Sequence, residues 1–162
     1  MKNVNIVPGS PEWVRSRSAS KAAAALGFAK KLSRNGLIKM LATGDPKEES
    51  EWVKEVLFAN GHRVEAAALP IIEEYIGEEL FPESGATDDG YLTANFDGRV
   101  IEGNIGWEWK QWNEALAAAV RDGHVPDTHW PQLEQEAIVG GLDYVIFTVT
   151  DGTPEKMVSM KY

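Results

Sequence analysis

Two alternating runs joined by a tight-turn pair constrain this chain more than any other feature of it. Residues 95–101 and 105–111 mix aromatic and β-branched side chains with polar ones, and Gly103-Asn104 stands between them. Such runs read as strands, and the glycine–asparagine pair reads as the two-residue loop of a β-hairpin. With that loop, antiparallel pairing sets Ile101 opposite Gly106, Arg99 opposite Glu108 and Asp97 opposite Lys110. Side chains alternate faces along a strand. Asp97, Glu108 and Lys110 therefore share one face, and Phe96, Val100, Trp107 and Trp109 share the other, apolar one. A one-residue bulge would break this register.

The polar face carries residue types with a chemical use. An aspartate, ten intervening residues and then Glu108-Trp109-Lys110 is the set that metal-dependent phosphodiester cleavage needs. Two carboxylates can hold one or two Mg2+ ions, with Mn2+ as the alternative, in an octahedral shell completed by water and phosphate. Such an ion acidifies water and stabilises charge around phosphorus. A neighbouring lysine would orient that water or neutralise the developing charge. The same spacing also fits an exposed hairpin with an ordinary cross-strand ion pair, which contributes ~0.2–1 kcal/mol. By itself the pattern is a weak signal.

Three further blocks stand around it. Trp13-Val14-Arg15-Ser16-Arg17 is followed by a serine- and alanine-rich run to Gly27. Gly61-His62-Arg63-Val64-Glu65 opens an apolar helical stretch, and Trp130 to Gly141, carrying Gln132, leads into a strand-like segment. In this order the blocks resemble the lambda-exonuclease/YqaJ-type viral recombinase family, a branch of the PD-(D/E)xK nucleases. That family shows W-x-x-x-R with T-A-S-D-A-A-A-I-L-G, then G-x-x-x-E, S-P-D-G, E-I-K-C-P and Y-Y-x-Q-V-Q. The resemblance covers about Ser10 to Thr150.

The resemblance implies a restriction-endonuclease-like α/β core, a mixed sheet flanked by helices, and a role for each matching residue. Asp97 and Glu108 would be metal ligands, Lys110 the catalytic lysine, and Glu65 a helical carboxylate supporting the metal. Gln132 would position the lysine or the water. Arg17 and Ser20, with Arg15 able to replace Arg17, would grip the 5′-phosphate of a DNA end. The implied activity is 5′-to-3′ degradation of double-stranded DNA ends in recombination, by a ring-shaped homotrimer with a single-strand annealing protein as partner. The departures are Asn95-Phe96-Asp97-Gly98 for S-P-D-G, Gln111-Trp112 after the lysine, Glu134 for the second glutamine, and a shortened Arg17–Ser20 gap. They leave open an endonuclease on the same core, or a DNA-binding module without chemistry.

Composition sets outer bounds. The 162 residues fit one domain with a real core, expected as a basic helical lobe over 1–44 and a catalytic core over 45–162. No apolar run approaches the ~20 residues of a membrane span and the start lacks a signal pattern, so a cytoplasmic protein is expected. With no cysteine there is no disulfide and no zinc-thiolate site. Net charge is −9, but residues 1–40 hold eight Lys or Arg against Glu12 alone. That lobe suits contact with phosphates, as it would an ordinary solvated helix pair.

Local signals give the elements. Ser18 or Ser20 caps a helix running to Gly27, and Ser33 or Asn35 caps another ending near Thr43-Gly44. A helix over 47–59 breaks at Asn60-Gly61, and 62–76 is helical with a kink at Pro70. Extended chain over 79–96 is interrupted at Ser84-Gly85 and Asp88-Asp89-Gly90. After the hairpin come a helix over 113–120, the Gln132 helix from Pro126-Asp127 to Gly140-Gly141, and strands over 142–150 and 156–162. His62 and Glu65 stand at i, i+3, a metal-pair spacing, but His62 is expected to pack or cap; His124 and His129 lack partners at metal-ligand spacing, and His129 is expected to pack. Trp13, Trp52, Trp107 and Trp109 are expected in the core, and Trp112 and Trp130 beside the site.

Overall fold

The segment Tyr144–Thr150 alternates between two apolar environments, and the architecture follows from that alternation. Val145, Phe147 and Val149 are buried in one cluster and Ile146 in another, so this strand is covered on both faces. In a computed structural model, residues 1–45, 51–101 and 103–162 are described, with the backbone alone for 51–59. The elements are β1 (Lys2–Asn3), α1 (Pro11–Arg15), a 3-10 turn (Ala19–Lys21) entering α2 (Ala22–Ala25), α3 (Arg34–Thr43), and α4 (Glu51–Ile76). They continue as β2 (Phe81–Ala86), β3 (Thr93–Arg99), β4 (Ile105–Gln111), α5 (Glu114–Arg121), α6 (Trp130–Gly140), β5 (Tyr144–Thr150) and β6 (Met157–Lys161).

The six strands form one sheet in the order β1-β2-β3-β4-β5-β6. Neighbours are antiparallel except β4 and β5, whose parallel pairing needs the crossover that α5 and α6 supply. One face packs Ala68 and Ile72 of α4 over Leu80, Val100, Trp107 and Ile146. The other packs Leu116 and Val120 of α5 and Leu133 of α6 over Val145, Phe147 and Val149. The fold is therefore the α/β class expected, a mixed sheet with helices on both faces. Among the described residues no helix is long and apolar enough to cross a membrane.

Trp107 fixes the middle strand. It is fully buried, and its indole N–H donates to Thr148 Oγ1 at 3.1 Å, which in turn meets Ser159 Oγ at 2.9 Å. Burying a large side chain contributes about 1.5–3 kcal/mol, and the bond satisfies its one polar atom.

Several local expectations hold. Ser33 Oγ accepts from Gly36 N–H at 3.1 Å, and α3 ends at Gly44 in the left-handed conformation. The helix expected over 113–120 is α5, and Asn113, just ahead of it, accepts from Leu116 N–H at 3.0 Å. Others are corrected. Asn60-Gly61 breaks nothing, because α4 runs unbroken from Glu51 through Pro70 to Ile76. The ~1 kcal/mol cost of an interior glycine is offset by burying Val64, Ala68 and Ile72. The start of that helix over 47–50, and the side chains of Trp52, Val53, Val56 and Leu57, lie outside the described residues. Ser84-Gly85 does not interrupt β2, since Gly85 pairs with both Ala94 and Asn3. The alanine helix is a 3-10 turn and a single α turn, and Ser18 makes no side-chain cap.

Candidate active site

The hairpin at the centre differs from its expected form by two residues of register. Gly98 pairs with Trp107 and Arg99 with Gly106, and Val100 N–H bonds Ile105 C=O. The connection is thus longer than a two-residue loop, which pulls each partner two positions along. A shift of two preserves faces, so Glu108 and Lys110 remain on one side of β4.

A bulge then changes β3. Phe81 pairs with Arg99 while Glu83 pairs with Phe96, so Asp97 and Gly98 together oppose Pro82. Proline has no N–H to lose, which suits it to this position. The extra residue reverses the facing of everything upstream. Phe96 accordingly packs with Ala19, Ala94 and Val139 beside α6, whereas Val100, Trp107 and Trp109 pack beneath α4. The expected single apolar face of Phe96, Val100, Trp107 and Trp109 is corrected on this ground.

Asp97 lies at the bulge, where β3 and β4 part. Its Oδ2 accepts the Trp109 backbone N–H at 3.0 Å, so a side chain replaces the missing strand partner. Glu108 is 2% exposed, and its Oε1 takes both the Lys110 ammonium and Gln132 Nε2, the latter at 2.7 Å. Glu108 Oε2 is buried with no protein partner among the described residues. Glu65, Asp97, Glu108, Lys110, Trp109 and His62 line one cavity of about 310 Å³. The four residues expected at the chemistry therefore meet, and Gln132 reaches them from α6.

Their electrostatics follow from burial. It pushes the Asp97 carboxyl well above the ordinary aspartate range, and the charge of Glu108 adds to this while Lys110 opposes it. Burial alone would lower Lys110, but the charges of Glu108 and Asp97 outweigh it and hold the ammonium above its usual value. Glu65 is raised by burial, against a lowering by His62 and a hydrogen bond from the Trp109 side chain. His129 packs 5.8 Å from the Phe147 ring, as expected of it. Burial and the Lys110 charge hold it below the usual histidine range.

A divalent ion fits part of this arrangement. Among the described residues no three His, Asp or Glu side chains are close enough to cage one. Mg2+ needs no such cage, being bound through one or two carboxylates with water and phosphate completing the shell. The hard oxygens of Asp97 and the unpartnered Glu108 Oε2 suit that mode.

Among the described residues no hydrogen bond or ion pair joins the expected phosphate grip to these carboxylates. Arg15 Nη2 donates to Thr43 C=O at 3.2 Å, Arg17 lies 4.1 Å over the Tyr91 ring, and Ser20 Oγ meets Ser18 Oγ at 3.3 Å. The segment is tied to the core by Gln135, whose Nε2 donates to Arg17 C=O at 2.6 Å and Thr93 C=O at 2.9 Å. Arg17, Arg34, Tyr91 and Gln135 line a second cavity of about 310 Å³. Trp112 and Trp130 are half-buried, with indole N–H bonds to Glu114 and Asp127.

Three residues were missed by sequence reasoning. Glu136, 1% exposed, accepts from Gln132 Nε2 at 2.8 Å, and burial pushes its carboxyl well above the ordinary range. Gln135 is the clamp just described. Asn95 Nδ2 donates to Ile6 C=O at 2.7 Å and Ser84 Oγ at 2.6 Å, holding the N-terminal segment beside the site. Helical spacing from Gln132 could have found the first; nothing in the sequence pointed to the third.

No family model and no curated protein matches the sequence. The architecture nonetheless belongs to a fold with solved members. The crystal structure of LHK-Exo in complex with dAMP matches with a TM-score of 0.69 at 18% identity, over 94% of this chain and 79% of that one. The crystal structure of an alkaline exonuclease, LHK-Exo from Laribacter hongkongensis, matches with a TM-score of 0.63 at 17% identity, over 94% and 81%. At that identity the likeness is one of fold.

Proposed function

We propose that this chain is a nuclease, a Mg2+-dependent phosphodiesterase that degrades double-stranded DNA from an end, 5′ to 3′, in recombination or end processing. One observation carries the reading. Asp97, Glu108 and Lys110 line a single cavity, with Gln132 on Glu108, in a chain sharing the fold of an alkaline exonuclease.

Asp97 and Glu108 would hold the ion, with Glu65 behind them, and Mg2+ when bound supplies charge stabilisation at phosphorus. Lys110, fixed on Glu108 Oε1, presents its remaining donors to the attacking water. The water oxygen bonds to phosphorus, the bond from phosphorus to the 3′ oxygen breaks, and a proton ends on that oxygen. Arg17, Ser20 or Arg15 would hold the terminal phosphate, and the cavity between Arg17 and Arg34 offers two guanidiniums for it. A single-strand annealing partner and a homotrimeric ring belong to the same reading.

Digestion of end-labelled linear duplex, with and without a 5′-phosphate and with Mg2+ as the variable, tests this. The account expects Mg2+-dependent loss of the 5′ label from phosphorylated ends, with circular plasmid untouched. Relaxed or linearised plasmid would replace it with an endonuclease. Binding without cleavage would leave a DNA-binding module, the reading that the altered flanks of both acidic motifs favour.

A further inference from the structure

Glu136 is a buried acid that the chemistry above does not use. It sits on α6, one helical turn beyond Gln132, 1% exposed, and its Oε2 has no partner among the described residues. Burying a carboxyl group for one hydrogen bond is costly, and an apolar side chain of similar volume would serve the core better. Its one bond is informative. The two hydrogens of Gln132 Nε2 are divided, one to Glu108 Oε1 at 2.7 Å and one to Glu136 Oε1 at 2.8 Å.

We propose that Glu136 is a positioning residue that fixes the rotation of the Gln132 amide and, through it, the orientation of the Glu108 carboxylate. The inference rests on the nuclease reading for its rate effects, and on geometry alone for the rest. An amide can turn over, exchanging its NH2 and its oxygen. Turned over here, the Gln132 oxygen would face two carboxyl oxygens. With Glu136 accepting, the NH2 is held toward both acids, and Glu108 Oε1 keeps two donors, Gln132 and Lys110. Glu108 Oε2 is thereby the oxygen left without a hydrogen-bond partner among the described residues. Without an acceptor at 136 only Glu108 Oε1 opposes the turned state, and whenever the amide turns the Glu108 carboxylate loses one of its two restraints.

Glu136→Leu and Glu136→Gln test this. Glutamine keeps a carbonyl acceptor at the same place, and leucine removes it at similar volume. The first readout is the Gln132 side-chain amide in metal-free protein by nuclear magnetic resonance, assigned by its loss in Gln132→Glu. Two exchange-protected proton signals are expected in the parent and in Glu136→Gln, and shifted, unprotected ones in Glu136→Leu; the two stay separate throughout, because rotation about the amide C–N bond is slow. The second readout is cleavage of linear duplex. Glu136→Leu should lose about 10–100-fold in kcat with little change in KM, and Glu136→Gln should restore the parental rate. The denaturation midpoint of Glu136→Leu should equal or exceed that of the parent, which separates positioning from a structural role. Unchanged Gln132 signals in Glu136→Leu overturn the proposal, as does a parental kcat in that variant. Should the parent cleave no DNA, the nuclease reading fails, and the amide signals still decide the role of Glu136.

Discussion

Lys21 shows how far residue type and residue role can diverge. It is one of the eight basic side chains of residues 1–40, yet it is 4% exposed and points inward. Its ammonium donates to the carbonyls of Trp13, Val14 and Ser16 at the end of α1 and lies 4.0 Å from the Trp13 ring centre. It acts as a helix C-cap, where cations are favoured. Lys21→Met would leave these carbonyls without a charged donor and cost about 2–3 kcal/mol at neutral pH, measured as a lower urea midpoint. Burial lowers the ammonium from 10.5 to about 8, so it is still charged at neutral pH. Between those values the unfolded chain binds a proton that the folded chain has released, and stability rises with pH. The parent should show that rise and Lys21→Met should not. The charge count of the lobe was legible in the sequence, but the inward direction of this lysine was not, because it depends on where α1 ends.

At the scale of elements the decisive feature is the bulge at Asp97-Gly98. It places a carboxylate where β3 and β4 separate, and it needs room. A Cβ added at Gly98 would lie 3.0 Å from Leu80 Cβ and 3.1 Å from Trp107 Cε3. Gly98→Ala should therefore destabilise by about 1–3 kcal/mol through overpacking. It should also reduce cleavage, because any shift of the bulge moves Asp97 off the Trp109 N–H. Unfolding curves and cleavage rates together check this, and a parental result in both would remove the bulge from the account. Legibility divides along the same line. The Ser33 cap and the Gly44 stop were readable because a cap is decided within one helical turn. The alternation of Glu108 and Lys110 was readable because the period of a strand is fixed. The two-residue register shift and the bulge were not, since both depend on how β2, with Pro82, meets β3. The false break at Asn60-Gly61 has a similar cause, in that burial of Val64, Ala68 and Ile72 overrides a weak local preference.

For the whole molecule, the sheet divides the labour. β4, paired with the doubly covered β5, holds Glu108 and Lys110, while α4 brings Glu65 and α6 brings Gln132 and Glu136. The order of motifs along the chain was enough to anticipate that convergence around Asp97, Glu108 and Lys110. It could not anticipate Glu136 or Gln135, which have no counterpart in those motifs and act through α6. The central claim is that this convergence performs phosphodiester hydrolysis, and Lys110 is the residue on which it turns, being the cation paired with Glu108 in the field of Asp97. The most direct measurement compares Mg2+-dependent cleavage of 5′-phosphorylated linear duplex by the parent and by Lys110→Ala at matched folding. A loss of about 10²–10⁴-fold in kcat is predicted; equal rates in the two proteins would contradict the account.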